Sequence, residues 1–545
     1  MGALLSKQDV PVLVVDQNDG PTDYSKAIGV HARTLELMHA LDLSEAMVSD
    51  GYPMSDYGLW EQGKSILAAS FRDVDTPYPF VLGLPQSRTE RHLSGALIDN
   101  GGAIRRRTRL IEIESTGDPS RNDAKAVALL EGEDGQRFRV EADWLIGCDG
   151  NRSLVREQMG AGFPGGDYKR AFILGDVKID WDGPKRHLQF HLGPNGYLLI
   201  IPMPRGMHRL IAQTDLSYED FQKRERPEAT LEELQAIVDR NGPGGIRVHS
   251  PEWLTCAPFY HRMADKAKEG RVLLAGDAFH LYSPLGAQGL NTGFGDVFNL
   301  GWKLGFVAKG HAGPELIDTY EAERRPIAEM IQKITAKTTR FITATAWHER
   351  LARRIATPRL DRTDRVQKRL PTLLAGMMQR YPATGPLAGP GVAGLPEPGT
   401  RMPHAFVADG DAYLPVARLV HGTRFTILHM VRLGHEEALQ AVRRVTEERA
   451  GGLPYAESIV VAREISAPVE TAGVPVYEDR LSRLFDKLAF DEAAVVCVRP
   501  DGFVAAAGRG ATRAEAAEPV FAWLEGLFAA GTQGGRTEKG YRDVA

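Results

Sequence analysis

Three short runs of apolar residues stand out in the pattern of hydrophobic and polar positions along the chain. They cover residues 12–15, 144–147 and 272–275, and each leads into a turn that carries an aspartate. An apolar run of this length, bounded by turn residues, is typical of a buried β-strand. The sequence therefore predicts three strands of a covered sheet, each followed by an acidic side chain.

Helices are predicted between and after these strands. Leu35, Met38 and Leu41 recur at helical spacing. Gln86 opens another helix, and a third begins near Asn291 and carries a long apolar face. Apolar residues three and four positions apart lie on one side of a helix, which is the side that packs on a core. Strands alternate with helices in this way in α/β folds.

The rest of the chain divides into three regions. Residues 165–262 read as short strands separated by turns, which predicts a mostly antiparallel sheet. A long helical stretch runs from Tyr320 to about residue 355, and the Pro/Gly-rich residues 382–403 read as a linker. Beyond the linker, strands, a hairpin near residue 500 and a final helix predict a separate α/β domain.

Composition and charge narrow the class of protein. The chain has 545 residues, of which 43% are hydrophobic and 25% charged, and its formal net charge is −5. These are ordinary values for a globular protein of about three domains, and they give no reason to expect nucleic acid or a membrane as a partner. No apolar run approaches the roughly 20 residues of a membrane span, and no secretory signal is visible. We therefore expect a cytoplasmic protein.

The cysteines do not indicate a disulfide scaffold or a metal site. Cys148, Cys256 and Cys497 lie far apart and form no C-x-x-C pair. Cys148 and Cys497 lie in apolar runs, so we expect both to be core thiols. Dithiol redox chemistry is not available to the C-terminal domain without a C-x-x-C motif.

The most informative stretch is residues 271–296, which we call the GD block. Its strand runs into Gly276, where the backbone can approach a ligand, and Asp277, whose carboxylate can accept hydrogen bonds from sugar-like hydroxyls. A loop with Pro284 follows and leads to the residues that open the helix, Gly289, Leu290 and Asn291. Backbone amides at a helix start suit a group that carries or develops negative charge.

A second stretch, residues 143–156, repeats this plan, and we call it the DG block. Its apolar strand ends in a turn with Asp149 and Gly150, and Arg156 lies in the helix that follows. Asp-Gly after a strand is common turn chemistry and would be a weak signal alone. The DG block becomes informative because it lies about 125 residues before the GD block.

The order and content of the two blocks resemble the flavin-contacting segments of the FAD-dependent aromatic hydroxylases of the p-hydroxybenzoate hydroxylase and phenol hydroxylase type. The resemblance implies an α/β fold with a doubly wound, glutathione-reductase-like FAD-binding domain, an inserted antiparallel-sheet substrate domain and a C-terminal thioredoxin-like domain. The implied FAD-binding domain comprises residues 1–60, 86–164 and 263–330. The other implied parts are a substrate-binding sheet domain at 61–85 and 165–262, a helical region at 331–381, a linker at 382–403 and the thioredoxin-like domain at 404–545.

The resemblance also implies roles for individual residues. Asp16 would hold the adenosine ribose of FAD, Arg33 would reach the pyrophosphate, and Gln86 would contact the ribityl chain. Asp277 would accept bonds from the ribityl hydroxyls, and the amides of residues 289–291 would face the flavin pyrimidine edge. The turn residues of the two blocks complete the implied cofactor-binding set: Asp149, Gly150, Arg156, Gly276 and Pro284. For Arg33 and Gln86, an exposed helix arginine and an ordinary loop amide remain open as alternatives.

One feature of these hydroxylases is missing. They begin with a strand, a G-x-G-x-x-G turn and a helix that hold the FAD pyrophosphate, and the acid that binds the ribose follows about 20 residues later. Counting back from Asp16 runs off the front of the chain. Two other glycine matches, at residues 160–165 and 389–394, lack the strand–turn–helix context. We therefore expect that the chain starts after the phosphate loop, with a non-catalytic remnant as the alternative.

The resemblance implies a reaction as well. NADH or NADPH would reduce FAD, and the reduced flavin would capture O₂ as a C4a-hydroperoxide that hydroxylates a small phenolic or polycyclic aromatic molecule. Such a site must exclude water and needs no metal. Epoxidation, Baeyer–Villiger insertion and dehalogenating hydroxylation on the same fold remain open, as do the choice of nicotinamide and a homodimer formed through the C-terminal domain. No catalytic base is assigned, because His191, Tyr197 and His208 equally suit core or solvent-side positions of the sheet.

Overall fold

A computed structural model describes residues 1–22, 27–118, 121, 124–184, 186–194, 196–223, 228–283, 286–343, 348, 363–383, 385–431, 443, 453–463, 473–488 and 493–528. The α-helices in these ranges are α1 (Gly2–Ser6), α2 (Ala32–Met38), α3 (Ser44–Asp50), α4 (Gln86–Asp99), α5 (Leu154–Gln158), α6 (Tyr218–Gln222), α7 (Leu231–Asn241), α8 (Gln288–Ala308), α9 (Thr319–Thr343), α10 (Asp364–Leu374), α11 (Arg483–Leu488) and α12 (Arg513–Phe528).

The first strands of the chain are β1 (Val14–Val15), β2 (Gly29–Val30), β3 (Tyr52–Met54), β4 (Asp56–Glu61), β5 (Lys64–Ser70), β6 (Val81–Gly83), β7 (Ile104–Arg105), β8 (Arg109–Ser115), β9 (Ala126–Glu131), β10 (Arg137–Ala142) and β11 (Leu145–Gly147). The central strands are β12 (Gly165–Asp167), β13 (Arg170–Asp180), β14 (His187–Leu192), β15 (Tyr197–Pro202), β16 (Met207–Ser217), β17 (Arg247–Ala257), β18 (Tyr260–Met263), β19 (Lys268–Glu269), β20 (Val272–Leu274) and β21 (His280–Leu281). The C-terminal strands are β22 (Phe406–Asp409), β23 (Ala412–Pro415), β24 (Phe425–Val431), β25 (Ala456–Ala462), β26 (Val476–Glu478), β27 (Ala493–Val498) and β28 (Val504–Gly510).

Short parallel pairings carry the predicted strand-end aspartates. β1 pairs with β7, and β11 pairs with β20, so the strands of the DG and GD blocks lie side by side. Asp16 directly follows β1, while Asp149 and Asp277 lie in the turns after β11 and β20. The carboxyl ends of parallel strands meet at one edge of a sheet, so Asp149 and Asp277 lie at the same edge.

A seven-stranded mixed sheet forms the central layer, in the order β17-β13-β16-β15-β14-β4-β5. Only the pairing of β14 with β4 is parallel, so residues 165–262 do form a mostly antiparallel sheet, which β4 and β5 extend. One face packs on α7. The other is aromatic, packs on Leu374 of α10, and carries Tyr57, Phe172, Phe190 and Tyr197. We call it the aromatic face.

A second seven-stranded mixed sheet, in the order β23-β22-β26-β25-β24-β27-β28, forms the C-terminal part. Helix α12 packs on β27 and β28. The core of this part also takes in Trp302 and Phe306 from α8, and the ring of Trp302 lies edge-on to Phe425 at 5.5 Å. Helix α8 therefore runs from the GD block into the core of the C-terminal domain.

The structure corrects two predictions from the sequence. Helix α8 begins at Gln288, three residues earlier than predicted, because the chain turns into the helix through Ala287 with a φ of 52°. Cys148 is exposed rather than buried, because β11 ends at Gly147 and leaves the thiol in the following turn. Cys497 is buried, as predicted. No helix in the described ranges is both long and apolar enough to cross a membrane.

Candidate active site

A buried charged cluster fixes the turn of the GD block. Asp296 of α8 accepts hydrogen bonds from the backbone N–H of Gly276 at 3.1 Å and from Nε2 of His280 at 2.7 Å. Its other oxygen accepts one from Nε of Arg324 on α9 at 2.8 Å. Burial raises the pKa of the Asp296 carboxyl, but His280 and Arg324 outweigh it and hold the pKa below its usual value. Asp296 is therefore an anion that anchors Gly276, whose φ of 61° favours glycine.

Asp277 lies beside the start of α8. Its side chain is exposed, and a Cβ built on Gly289 would lie 3.8 Å from its Oδ1. A Cβ on Gly293 would lie 3.2 Å from the Cα of Gly276, so a side chain there would crowd the turn. The first amides of an α-helix have no partner within the helix. A carboxylate and amides that lack a partner within their helix thus lie next to each other, around Gly276, Gly289 and Gly293.

The side chain of Asn291 ties this helix start to the N-terminal part of the chain. Its Oδ1 accepts hydrogen bonds from the backbone N–H of His31 at 2.8 Å and from Oγ1 of Thr34 at 2.7 Å, and its Nδ2 donates to the carbonyl of Gly29 at 2.8 Å. The side chain of Asn291 therefore joins β2, α2 and α8. Its backbone amide remains the group predicted to face a ligand. Leu290 packs beside it on the core around α2.

His31 supports the loop before α8. Its Nε2 lies 2.9 Å from the carbonyl of Gly286, and burial lowers the pKa of the imidazole to about 4. The ring is therefore neutral near pH 7, with the proton on Nε2. Its Nδ1 is buried and has no hydrogen-bond partner among the described residues.

The DG block is joined directly to the GD block. Asp149 accepts a hydrogen bond from the backbone N–H of Val155 at 3.1 Å, and Gly150 has a φ of 79°. Arg156 donates to the carbonyl of Ala278 at 3.0 Å, and its guanidinium lies 3.7 Å from the ring centroid of Phe163. Arg156 thus links the two turns, and Asp149 caps the short helix that carries it.

Asp16 and Gln86 lie at other points of the N-terminal part. Asp16 accepts hydrogen bonds from Arg106 at 2.7 Å and from its neighbour Asn18. Gln86 begins α4, so it is not a loop amide, and it accepts a hydrogen bond from the backbone N–H of Ala27 at 3.2 Å. Ala27 lies two residues before Gly29, whose carbonyl accepts a hydrogen bond from Asn291. This short segment therefore links Gln86 to the start of α8.

Arg33 lies beside the C-terminal domain, and its implied contact with the pyrophosphate stays a prediction. It is buried, so it is not an exposed helix arginine. Its guanidinium donates to Glu36 at 3.0 Å and to the carbonyl of Asp501 at 2.5 Å, and it lies over the ring of Phe503. Arg33 faces the C-terminal domain and is not brought together with Asp277. Pro284 lies outside the described residues.

The aromatic face borders the GD block. Leu374 packs on this face, and its Cδ2 lies 3.6 Å from a Cβ built on Gly286 of the GD block. Within the described ranges, the phenol oxygens of Tyr168 and Tyr197 and Oε1 of Gln213 are buried with no hydrogen-bond partner. Burial, followed by the charge of Tyr168, raises the pKa of Tyr197, which therefore stays protonated.

The two histidines considered from sequence have ordinary packing roles. His191 stacks on Trp60 at 5.1 Å, and burial lowers its pKa to about 4. Burial likewise lowers the pKa of His208 to about 4.

Asp296 and Arg324 were not expected from the sequence, although one signal was available. Asp296 is a charged residue within the predicted apolar helix after the GD block. A charge on a buried helix face is costly unless it is paired. Its partner could have been expected, but not identified as Arg324.

A strand-end carboxylate beside helix-start amides, on a fold with parallel strands, defines a nucleotide-cofactor site. Residues 1–335 match the family model described as an FAD binding domain. The 12-dehydrotetracycline 5-monooxygenase/anhydrotetracycline 6-monooxygenase of Streptomyces rimosus is 34% identical over 405 residues, which cover 72% of this chain and 77% of the relative. The 6-methylpretetramide 4-monooxygenase of Streptomyces rimosus is 30% identical over 519 residues, covering 93% and 88% respectively.

A solved structure agrees with these relatives. The anhydrotetracycline hydroxylase from Streptomyces rimosus superposes with a TM-score of 0.71 at 27% identity, covering 97% of this chain and 96% of that one. The chain belongs to the family of proteins built on this FAD binding domain. It is an FAD-dependent monooxygenase of the aromatic hydroxylase class.

Proposed function

We propose that this enzyme hydroxylates a polycyclic phenolic small molecule, with FAD as the cofactor, O₂ as a co-substrate and NADH or NADPH as the electron donor. The observation that carries the proposal is the approach of Leu374, which packs on the aromatic face, to Gly286 of the GD block. On the same face, the hydroxyls of Tyr168 and Tyr197 lack partners among the described residues. The relatives named for anhydrotetracycline and 6-methylpretetramide, both fused-ring compounds, support a polycyclic substrate.

The residues of the GD and DG blocks fit the flavin end of FAD. We assign the ribityl hydroxyls to the exposed Asp277 carboxylate, and the pyrimidine edge to the backbone amides of residues 289–291. Glycines 276, 289 and 293 leave room for a ligand at this place. Asp149, Gly150 and Arg156 keep the neighbouring turn in position. When bound and reduced, FAD supplies O₂ activation and an electrophilic oxygen atom.

The aromatic face fits the substrate. Its apolar residues exclude water, which protects a reactive oxygen donor from side reactions. Tyr197 and Tyr168 carry hydroxyls without partners in the described part of the chain, and each would donate a hydrogen bond to a substrate oxygen. Hydrogen bonds to the substrate oxygen favour its ionised form, and a phenolate is a better nucleophile than a phenol towards the electrophilic oxygen.

The first experiment measures bound flavin in the purified 545-residue protein. We expect FAD to bind, and we expect Asp277→Ala to weaken the affinity by about tenfold, because one charge-assisted hydrogen bond contributes about 1.5–3 kcal/mol. Asp411→Ala, at an exposed turn of the C-terminal domain, is the matched control. Equal affinity in both variants would show that Asp277 does not bind FAD.

The second experiment tests whether one oxygen atom of O₂ is transferred to an aromatic substrate. Fused-ring phenols should stimulate NADH or NADPH oxidation and yield a product with one added oxygen atom on an aromatic carbon. Nicotinamide oxidation that yields only H₂O₂ with every phenol tested would contradict the proposed substrate class. A lactone or epoxide product would instead show another oxygenation on the same fold.

A further inference from the structure

We propose that the C-terminal domain positions the flavin site, through a buried ionic cluster in which Arg499 and Asp501 of that domain hold Glu323 of α9 and Asn299 of α8. The inference rests on the binding of FAD at the GD block and goes beyond the hydroxylation proposed above. Arg499 is a positioning residue in this scheme, because it lies outside the GD block.

The cluster is buried and closely bonded. Arg499 donates to Glu323 Oε2 at 2.9 Å and to Asp501 Oδ2 at 2.8 Å. Lys303 of α8 donates to the same Glu323 oxygen at 2.7 Å, and so does Asn299. The guanidinium of Arg499 also lies near the rings of Trp302 and Tyr381. Residues from α8, α9 and the β27–β28 hairpin therefore share one set of hydrogen bonds.

The charges in this cluster balance, and each domain contributes one carboxylate and one cation. Glu323 and Asp501 contribute two carboxylates, and Arg499 and Lys303 contribute two cations. Burial lowers the pKa of the Lys303 ammonium to about 8, while Glu323 opposes this effect. A buried ion pair that loses one partner leaves an uncompensated charge, and the remaining groups must then move or change protonation state.

The same two helices carry the cluster that anchors the GD block. Arg324 directly follows Glu323 on α9, and it binds Asp296, which holds the N–H of Gly276. On α8, Asp296 lies three residues before Asn299. A displacement of Glu323 and Asn299 therefore moves Arg324 and Asp296, and with them the turn that carries Asp277.

Another ion pair between the two domains offers a matched control. Arg418, beside β23, pairs with Glu45 of α3 at 3.0 Å, and both side chains are exposed. This pair crosses the same domain boundary but involves neither α8 nor α9. Loss of this pair should leave the GD block unchanged.

The test compares Arg499→Lys, Arg499→Met and Arg418→Met in the full chain by hydrogen–deuterium exchange and by FAD affinity. We expect Arg499→Met to raise exchange in peptides covering residues 272–296, with no change in the β9–β10 hairpin, and to weaken FAD binding at least tenfold. Arg499→Lys should restore part of both effects, and Arg418→Met should change neither.

Two results would overturn the inference. One is an Arg499→Met protein with a lower unfolding midpoint but unchanged exchange and FAD affinity, because the cluster would then only join the domains. The other is an equal effect of Arg418→Met. If Arg499→Met does not fold, Arg499→Lys and Asp501→Asn are compared in the same way. Exchange is read without substrate or turnover, so failure of the proposed hydroxylation would leave this result unaffected.

Discussion

At the scale of single residues, two buried tyrosines differ in whether the hydroxyl has a hydrogen-bond partner. Tyr320 and Tyr197 are both fully buried. The hydroxyl of Tyr320 donates to the carbonyl of Leu274 at 2.8 Å, whereas that of Tyr197 has no partner in the described structure. A buried polar group without a partner costs about 1–3 kcal/mol. Tyr197 therefore carries a cost in the free protein that a substrate oxygen would remove.

Tyr197→Phe should raise the free energy of unfolding by about 1 kcal/mol and weaken the binding of a phenolic substrate by about tenfold. Tyr320→Phe should lower the free energy of unfolding by about 1 kcal/mol, because it leaves the Leu274 carbonyl unpaired. Urea unfolding and substrate titration measure the two quantities. If Tyr197→Phe destabilises the protein as Tyr320→Phe does, the hydroxyl has a partner in the free protein.

At the scale of elements, the start of α8 is held by a close approach to β2. A Cβ built on Gly29 would lie 2.6 Å from the Cβ of Ala287, a distance that real carbon atoms do not keep. Ala287 itself has a φ of 52°, a region in which a side chain is strained. Only one of the two residues, 29 or 287, can carry a side chain at this contact. The position of the start of α8 therefore depends on a glycine at one of them.

Gly29→Ala should destabilise the protein by about 1–3 kcal/mol, the usual cost of overpacking. Ala287→Gly alone should change stability by less than about 1 kcal/mol, because relief of backbone strain offsets the freedom of the unfolded glycine. The double variant Gly29→Ala/Ala287→Gly should recover most of the loss. Urea unfolding of the unaltered protein, the two single variants and the double variant gives a double-mutant cycle. Additive effects on the free energy of unfolding would show that the two positions do not touch.

The elements were easier to predict than their partners. The strands and helices of the GD and DG blocks could be predicted because apolar runs, turn residues and helical spacing are local signals. The partner of Asp296 lies 28 residues away on another helix, and that of Arg33 lies 468 residues away in another domain. Sequence spacing carries no information on such pairs. The contact of Arg33 with Asp501 is therefore visible only in the tertiary structure.

At the scale of the whole molecule, neutral histidines that are buried or half-buried lie in the N-terminal, central and C-terminal parts of the chain. Burial lowers the pKa of His31, His191, His208 and His404 to about 4 from an ordinary value of 6.5, and it lowers that of His429 well below 6.5. Between pH 6.5 and about 4 the unfolded chain therefore binds more protons than the folded protein. This difference destabilises the fold as the pH falls.

The free energy of unfolding should therefore be greatest above pH 6.5 and fall as the pH drops towards 4. His31→Gln keeps a donor for the Gly286 carbonyl but does not titrate, so it should reduce this fall by up to about 3 kcal/mol. His421→Gln, at an exposed position, is the control. Urea midpoints at several pH values measure the slope, and identical slopes for His31→Gln and the unaltered protein would contradict the assignment.

Because Glu323 and Arg324 are consecutive, their side chains point about 100° apart around α9. Glu323 contacts Arg499 of the C-terminal domain and Arg324 contacts Asp296 of α8, so both contacts depend on the rotational phase of a single helix. Inserting or deleting one residue between Thr319 and Glu323 would rotate that phase and break both contacts together. Single-residue deletions should be tolerated in the β9–β10 hairpin but not between Thr319 and Glu323. A library of such deletions, scored for bound flavin, would test this expectation.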